Sequence, residues 1–134
     1  MTGLGRIQIV FSRRPDGVSE EDWNTWYDAH LHEILAIPGF VSAQRFAIDQ
    51  LVGAGEGPEW THIALYEVEG DFEQLAAEMI RMSLGSAEAY IELKRTDAGG
   101  PPLPPWWDDV RFASWNGISL GDRIREAPWP EYEP

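Results

Sequence analysis

Two histidines stand two residues apart in the segment DAHLHE, as His30 and His32. An imidazole changes its charge near neutral pH, so a histidine that faces a pocket can take a proton from a substrate or return one. On a helix that advances about 100° per residue, His30 shares an arc with Trp23 and Tyr27, whereas His32 points to the opposite side. His30 is therefore the candidate catalytic residue; a buried neutral histidine satisfied by hydrogen bonds is the alternative.

The spacing of the two histidines argues against a metal site. Side chains at positions i and i+2 of a helix do not face each other, and metal ligands on helices usually lie three or four residues apart. Glu33 does follow His30 at a distance of three residues, but two ligands do not complete a site. The chain also has no cysteine, no G-x-S-x-G and no G-x-G-x-x-G after a strand. We therefore predict neither a metal nor a cofactor.

Three further side chains are predicted to share the pocket with His30. Tyr27 lies one turn before His30 on the same side of the helix. His62 and Tyr66 alternate with apolar residues in the segment WTHIALYEVE, so they occupy one face of a strand. Alternation alone leaves open whether that face meets the helices or a partner sheet. We predict that Tyr27, His62 and Tyr66 assist catalysis by holding a phenol or carbonyl oxygen.

Large apolar side chains form the predicted walls of the pocket. The chain has seven tryptophans, and aromatic rings of this size suit a flat aromatic ligand. The predicted substrate-binding residues are Trp23, Trp26, Ile34, Trp106 and Trp107. The last two lie in a Pro-rich insert, where they either cover the pocket or seal the edge of a dimer; the sequence leaves both roles open.

Alternation, helical periodicity and turn residues predict the elements that position these side chains. Ser19 and the acids after it start a capping box, and Pro38 with Gly39 ends the helix that begins there. The predicted strands are residues 6–12, 40–49, 60–69 and 110–120, and the predicted helices are residues 19–37, 71–85 and 87–95. Gly117 is predicted to form a β-bulge. Four prolines exclude regular structure from residues 96–109.

The order β-α-β-β-α-β is that of the ferredoxin-like fold, an α+β architecture with a four-stranded antiparallel sheet and its helices on one face. We predict one domain over residues 1–120 and a polar, Pro-rich tail over residues 121–134. The second face of the sheet stays apolar unless another surface covers it. A second copy of the chain would do so, and we therefore predict a homodimer in the form of a dimeric α/β barrel.

The formal net charge of the 134 residues is −13, which excludes two classes of partner. Nucleic-acid binding needs clustered Lys and Arg, and an anionic membrane surface attracts cations. No run approaches the roughly 20 apolar residues of a membrane helix, and the N-terminal segment lacks the apolar stretch of a signal peptide. We predict a cytoplasmic protein that binds neither nucleic acid nor membrane.

The segment EDWNTWYDAHLHEILAIPGFVSAQRF resembles the EthD-like branch of the dimeric α/β-barrel superfamily, whose members read approximately W-Y-x-x-H-L-P-x-L-L-x-x-P-G-F. The matching positions are Trp26, Tyr27, His30, Leu31, Leu35, Pro38, Gly39 and Phe40. The later segment ALYEVEGDFEQL is similar to the family's third strand and second helix. His32 departs from the pattern, because it stands where the family usually has proline.

The resemblance implies a ferredoxin-like subunit, a homodimer with its sheets face to face, and a pocket between helices and sheet. It also implies acid–base work by the pocket histidine, here His30, on an aromatic or polyketide-like substrate. We therefore predict a cofactor-independent lyase, isomerase or cyclase that acts in the catabolism of an aromatic compound. Two alternatives stay open: an oxygenase or haem-binding barrel in which His30 ligates iron, and a small-molecule binding protein without catalysis.

Overall fold

The computed structural model describes residues 5–49, 59–96 and 99–126. In chain order its elements are strand β1 (Arg6–Arg13), helix α1 (Glu20–Leu35), strand β2 (Phe40–Ala47), strand β3 (His62–Val68), helix α2 (Phe72–Arg81), helix α3 (Ala87–Arg95), a short 3-10 helix (Trp107–Asp109) and strand β4 (Arg111–Ile118). The strands form one antiparallel sheet in the order β2-β3-β1-β4. This confirms the α+β ferredoxin-like βαββαβ fold, which is the subunit fold of dimeric α/β barrels.

Helix α1 begins as its capping residues predict. The Ser19 hydroxyl accepts a hydrogen bond from the Asp22 N–H (3.0 Å), and acids in the first turn suit the positive end of the helix dipole. The helix ends at Leu35, earlier than expected, because the chain must turn before Pro38 and reach the left-handed conformation of Gly39 (φ 100°). The buried face of α1 consists of Trp23, Trp26, Tyr27, His30 and Ile34.

The helices pack on one face of the sheet, and this face carries both His62 and Tyr66. In β3 every second side chain from His62 to Val68 is buried, and the ring of His62 lies 5.6 Å from that of Trp23 in α1. In β1 the helix-facing side chains are those of Gln8, Val10 and Ser12, which pair with Tyr66, Ala64 and His62. His62 and Tyr66 therefore lie on the sheet face that the helices cover, which alternation alone could not decide.

The predicted bulge at Gly117 is absent. The β1–β4 ladder keeps its register along its length, with Gly117 directly opposite Ile7. A Cβ at Gly117 would lie 3.0 Å from Ile7 Cγ1, so this glycine serves close packing across the ladder. The register shift of the sheet lies in β2 instead, between Phe40 and Ser42, where that strand pairs with β3.

Two segments outside the sheet also differ from expectation. Helix α2 ends at Arg81, earlier than predicted, because Ser83 takes a left-handed conformation (φ 61°) that a right-handed helix cannot continue through. The Pro-rich insert, predicted to be irregular, contains the 3-10 helix Trp107–Asp109. The carbonyl of Pro104 accepts a hydrogen bond from the Trp107 N–H (3.1 Å), since proline lacks a donor but keeps its acceptor.

The opposite face of the sheet is apolar and carries no helix in the described part of the chain. Its side chains alternate with the helix-facing ones and include Ile9, Phe11, Leu65 and Trp115. Phe11 and Trp115 meet edge to face, with ring centroids 5.7 Å apart. Trp115 is 57% exposed, so a large aromatic surface remains open on this side.

Three segments lie partly outside the described residues: the loop between β2 and β3 at positions 50–58, the Pro-rich insert at positions 97 and 98, and the tail at positions 127–134. Residues 121–126, the described part of the tail, are exposed. Across the described ranges, no helix combines the length and the apolar character that crossing a membrane requires.

Candidate active site

A cavity of about 200 Å³ lies between α1, the sheet and the segment that joins α2 to α3. Its lining includes Gln8, Val10, Tyr66, Phe112 and Ser114 on the sheet, Tyr27, His30 and Ile34 on α1, Met79, Leu84 and Tyr90 around α2 and α3, and Trp107. Phe112, which contributes to the lining from the edge strand β4, is 37% exposed. Because a cavity of about 150 Å³ accommodates benzene, this one has room for a substituted single ring.

His30 reaches the cavity from α1 and is 9% exposed. Its ring stacks on Trp26, with centroids 4.8 Å apart and an interplanar angle of 13°. It meets the rings of Tyr27 and Tyr90 edge to face, at 5.8 and 5.3 Å. Its Nδ1 lies 3.1 Å from Glu33 Oε1. Packing against three rings and one hydrogen bond therefore hold the imidazole in a single orientation.

Glu33 is the centre of a polar network next to His30. Its Oε1 also accepts a hydrogen bond from Tyr90 Oη (2.7 Å), and its Oε2 accepts one from Lys94 Nζ (2.6 Å). Burial opposes ionisation of this carboxyl, but the hydrogen bonds from His30, Lys94 and Tyr90 outweigh burial and hold the pKa of Glu33 below its ordinary value of 4.5. Glu33 is therefore ionised at neutral pH.

The tyrosines of the lining keep their protons. Burial raises the pKa of Tyr27 to about 12, and it also raises the pKa of Tyr66. Burial and the adjacent Glu33 carboxylate raise the pKa of Tyr90. These hydroxyls are therefore hydrogen-bond donors at neutral pH. Among the described residues that line the cavity, His30 is left as the side chain suited to exchanging protons.

The structure divides the predicted site residues into two groups. Tyr27, His30, Ile34, Tyr66 and Trp107 line the cavity, whereas Trp23, Trp26, His62 and Trp106 lie outside its lining. The division has a simple physical reason. The first turns of α1 pack on the sheet and on the Pro-rich insert. Only the later part of the buried face of α1 can therefore line the cavity.

His62 lies at the far end of β3 from Tyr66, although both occupy the same face. Four strand residues span roughly 13 Å, so a shared face does not bring the two side chains together. His62 Nδ1 lies 2.8 Å from Thr61 Oγ1, and its Nε2 is 3.5 Å from Glu20 Oε2 at the start of α1. His62 therefore packs in the core beside Trp23.

Burial lowers the pKa of His62 below its ordinary value of 6.5, and this gives a testable pH dependence. Below about pH 6.5 the unfolded chain binds a proton that folded His62 resists, so the free energy of unfolding falls as the pH drops. We expect His62→Gln to lose less stability than the wild type between about pH 7.5 and 5.5, measured by urea unfolding. His32→Gln, at an exposed position, should follow the wild type. If the unfolding free energies of the wild type and His62→Gln changed in parallel with pH, the prediction would be contradicted.

The two tryptophans of the insert fold over α1. The ring of Trp106 lies 5.5 Å from that of Trp23 and 5.6 Å from that of Trp26. The ring of Trp107 lies 5.6 Å from Trp26 and 5.0 Å from Tyr90. The insert thus covers the aromatic cluster on α1, and Trp107 forms part of the cavity wall.

Sequence reasoning missed Tyr90 and Lys94, and it treated Glu33 only as an incomplete metal site. Within residues 5–49, 59–96 and 99–126, no three His, Asp or Glu side chains come together as a metal site. One signal was available, because Tyr90 and Lys94 are four residues apart and so share a face of α3. No pattern within the α3 segment indicates that this face contacts α1.

Solved structures share this fold over most of the chain. At3g17210 from Arabidopsis thaliana aligns with a TM-score of 0.53 and 16% sequence identity, over 87% of this chain and 98% of that one. HapK from Hahella chejuensis aligns with a TM-score of 0.54 and 11% identity, over 91% of this chain and 99% of that one. A monooxygenase from the gene ActVA-Orf6 of Streptomyces coelicolor, in complex with nanaomycin D, aligns with a TM-score of 0.46 and 15% identity, over 92% of this chain and 94% of that one.

No family model matches the chain, and no curated protein matches it. The likeness to At3g17210 and HapK, at 16% and 11% identity, shows the fold alone. That fold is the ferredoxin-like subunit of dimeric α/β-barrel proteins. Membership of the EthD-like branch, which the WYDAHL segment suggested, stays a prediction.

Proposed function

We propose that this protein is a cofactor-independent enzyme in which His30 acts as general base and general acid on a small aromatic or polyketide-like compound. The observation that carries the proposal is the placement of His30, a nearly buried imidazole in the wall of a cavity that is otherwise mainly aromatic and apolar. Such surroundings bind a flat apolar compound and bring its acidic hydrogen within reach of the base.

The reaction follows from the chemistry of imidazole. A neutral ring nitrogen removes a proton from a carbon beside a carbonyl group, and the electron pair of the broken bond moves onto the carbonyl oxygen. The imidazolium then returns the proton. If the proton returns to a different carbon, the compound is isomerised. If it returns to a hydroxyl that leaves as water, an elimination is complete. If the carbanion first attacks a second carbonyl, a ring closes before the proton returns. Isomerase, lyase and cyclase reactions share this first step.

Hydrogen-bond donors in the cavity suit the oxygen that becomes negative in this step. The hydroxyls of Tyr27 and Tyr66 stay protonated because burial raises the pKa of each, and Gln8 also lines the cavity. Gln8 Nε2 lies 3.5 Å from Asn116 Oδ1, a long contact that leaves the amide free to bond a ligand. Donors placed where charge develops supply a large share of enzymatic rate enhancement.

A deuterium-exchange and turnover screen tests the proposal. The protein is incubated in D₂O with single-ring phenols, aryl ketones and short diketones, without added metal, flavin or nicotinamide. Products are followed by proton NMR and mass spectrometry. We expect at least one compound to exchange a carbon-bound hydrogen faster than in buffer, with isomerisation, loss of water or ring closure. Exchange at the buffer rate across the whole panel would contradict the proposal.

The same panel distinguishes the two alternatives that the sequence left open. Incorporation of labelled dioxygen into a product would identify an oxygenase, and a Soret band in protein supplied with haem would identify a haem-binding barrel. Saturable binding without exchange or turnover would identify a binding protein. Each of these results would replace acid–base catalysis as the function.

We also propose that two chains pair through the open face of the sheet, with the two sheets face to face. Ile9, Phe11, Leu65 and Trp115 lie on this face, and Phe46 adds a ring that is 42% exposed. A soluble monomer rarely leaves a contiguous apolar patch uncovered. Contact between two copies of one face gives a closed dimer with two-fold symmetry.

A further inference from the structure

We infer that Glu33, held by Tyr90 and Lys94, is a positioning residue for His30: it places the imidazole proton on Nδ1 and leaves Nε2 as the basic atom. The inference rests on the proposed function, because positioning serves catalysis only if His30 exchanges protons with a substrate. The protonation pattern of His30 can nevertheless be measured without any substrate, so the two claims can fail separately.

The location of the proton follows from the contact between His30 and Glu33. An ionised carboxylate accepts hydrogen bonds and donates none, and Glu33 Oε1 lies 3.1 Å from His30 Nδ1. The proton of this hydrogen bond therefore belongs to Nδ1. A neutral imidazole carries one ring proton, so Nε2 keeps a free lone pair. Since His30 lines the cavity and Glu33 occupies Nδ1, Nε2 is the ring nitrogen left to exchange a proton with a bound compound.

Helix α3 and the loop after it hold the Glu33 carboxylate in place. Tyr90 Oη and Lys94 Nζ, from one face of α3, donate to Oε1 and Oε2 respectively. Lys94 Nζ also donates to the Gly99 carbonyl (2.9 Å). A Cβ on Gly100 would lie 3.0 Å from Glu33 Oε2. The loop can come this close to the carboxylate because Gly100 has no side chain. The carboxylate is thus fixed from several directions.

The Glu33 carboxylate lies where positive charge develops on the ring during the proposed reaction. The side chains of Lys94 and Glu33 are 6% and 14% exposed, and their charges cancel while His30 is neutral. When Nε2 takes a proton from a substrate, the ring becomes positive, and the carboxylate at Nδ1 stabilises it in surroundings with little water. Glu33 therefore supports both the tautomer and the charge that a general base requires.

Nitrogen NMR of the wild-type protein tests the tautomer directly. In ¹⁵N-labelled protein, at a pH where the ring is neutral, we expect the His30 Nδ1 signal in the range of a protonated ring nitrogen and the Nε2 signal in the range of an unprotonated one. His32, exposed on the same helix, is the internal reference for a ring that averages between tautomers. A His30 proton located on Nε2 would overturn the inference.

Variants test whether Glu33 sets that tautomer. In Glu33→Ala we expect the His30 signals to move toward those of His32, and kcat to fall about 10- to 100-fold while KM changes less than about 2-fold. Glu92→Ala is the matched control, because it removes a carboxylate that pairs with Arg95 at 2.6 Å on the exposed side of α3. It should change neither the signals nor kcat.

Glu33→Gln covers the case in which Glu33→Ala fails to fold, since it keeps the side-chain shape but offers Nδ1 an uncharged acceptor. We expect intermediate shifts of the His30 signals and a smaller loss in kcat than for Glu33→Ala. Unchanged His30 signals in a folded Glu33 variant would overturn the inference. The expected tautomer without turnover of any compound would contradict the proposed function and leave the assignment of the ring proton standing.

Discussion

Replacement of His30 by alanine is expected to lower kcat by about 10²- to 10⁴-fold on any compound that the wild type converts. The reason is that the variant loses the proposed proton-exchanging group, while the proposed hydrogen-bond donors Tyr27, Tyr66 and Gln8 still line the cavity. KM should therefore change much less than kcat. The measurement is steady-state turnover, with hydrogen–deuterium exchange of the substrate as an independent readout of proton abstraction.

His32→Ala is the matched control for this prediction, because it removes an imidazole from the exposed side of the same helix. It should retain the wild-type kcat. His30→Gln tests the charge-exchanging role more finely, since glutamine fills much of the same space and can donate a hydrogen bond but does not take up a proton at neutral pH. If His30→Gln converts substrate at close to the wild-type rate, His30 is not the acid–base group.

Trp115→Glu is expected to convert a dimer of twice the 15.1 kDa chain mass into a monomer of 15.1 kDa. Trp115 is 57% exposed on the open face of the sheet, where a partner sheet would bury it. A carboxylate at this position would be buried without a partner charge, and loss of a large aromatic contact at an interface commonly costs 2 kcal/mol or more. We expect the dissociation constant to rise at least about 30-fold, as measured by sedimentation equilibrium over a concentration series.

Ile80→Glu is the control for the dimer prediction. Ile80 lies on α2 and is 72% exposed, so the same kind of substitution there adds a charge to the helical layer and leaves the open face of the sheet unchanged. Its mass should equal that of the wild type. A wild type that is monomeric at high concentration, or a Trp115→Glu variant as dimeric as Ile80→Glu, would rule out this interface.

Local patterns were sufficient to predict the fold. The alternation in β1 and β3, the Ser19 cap of α1 and the turn at Pro38 and Gly39 depend on residues close together in the chain, and the structure has the corresponding elements. Two departures from the sequence-based prediction each have their cause in one residue. The left-handed Ser83 ends the α2 region, and Gly117 serves close packing against Ile7.

Helical periodicity also separated the two histidines correctly, since His30 is buried and His32 is exposed. A helix repeats every 3.6 residues whatever it packs against, so the side on which a residue lies is a local property. The same kind of reasoning assigned His62 to the predicted pocket, whereas the structure places His62 outside the cavity lining. Alternation gives the face of a strand but not the position of a residue relative to a cavity formed by other elements.

The sequence alone therefore determined the order of the elements, the buried face of α1 and the choice of His30 as the candidate residue, because each depends on short-range geometry. The tertiary structure alone decided what surrounds that histidine. Glu33 lies one turn away on α1, but Tyr90 and Lys94 reach it only because α3 docks against α1. Distances between elements depend on how all their side chains pack together, and no periodicity within one segment encodes them.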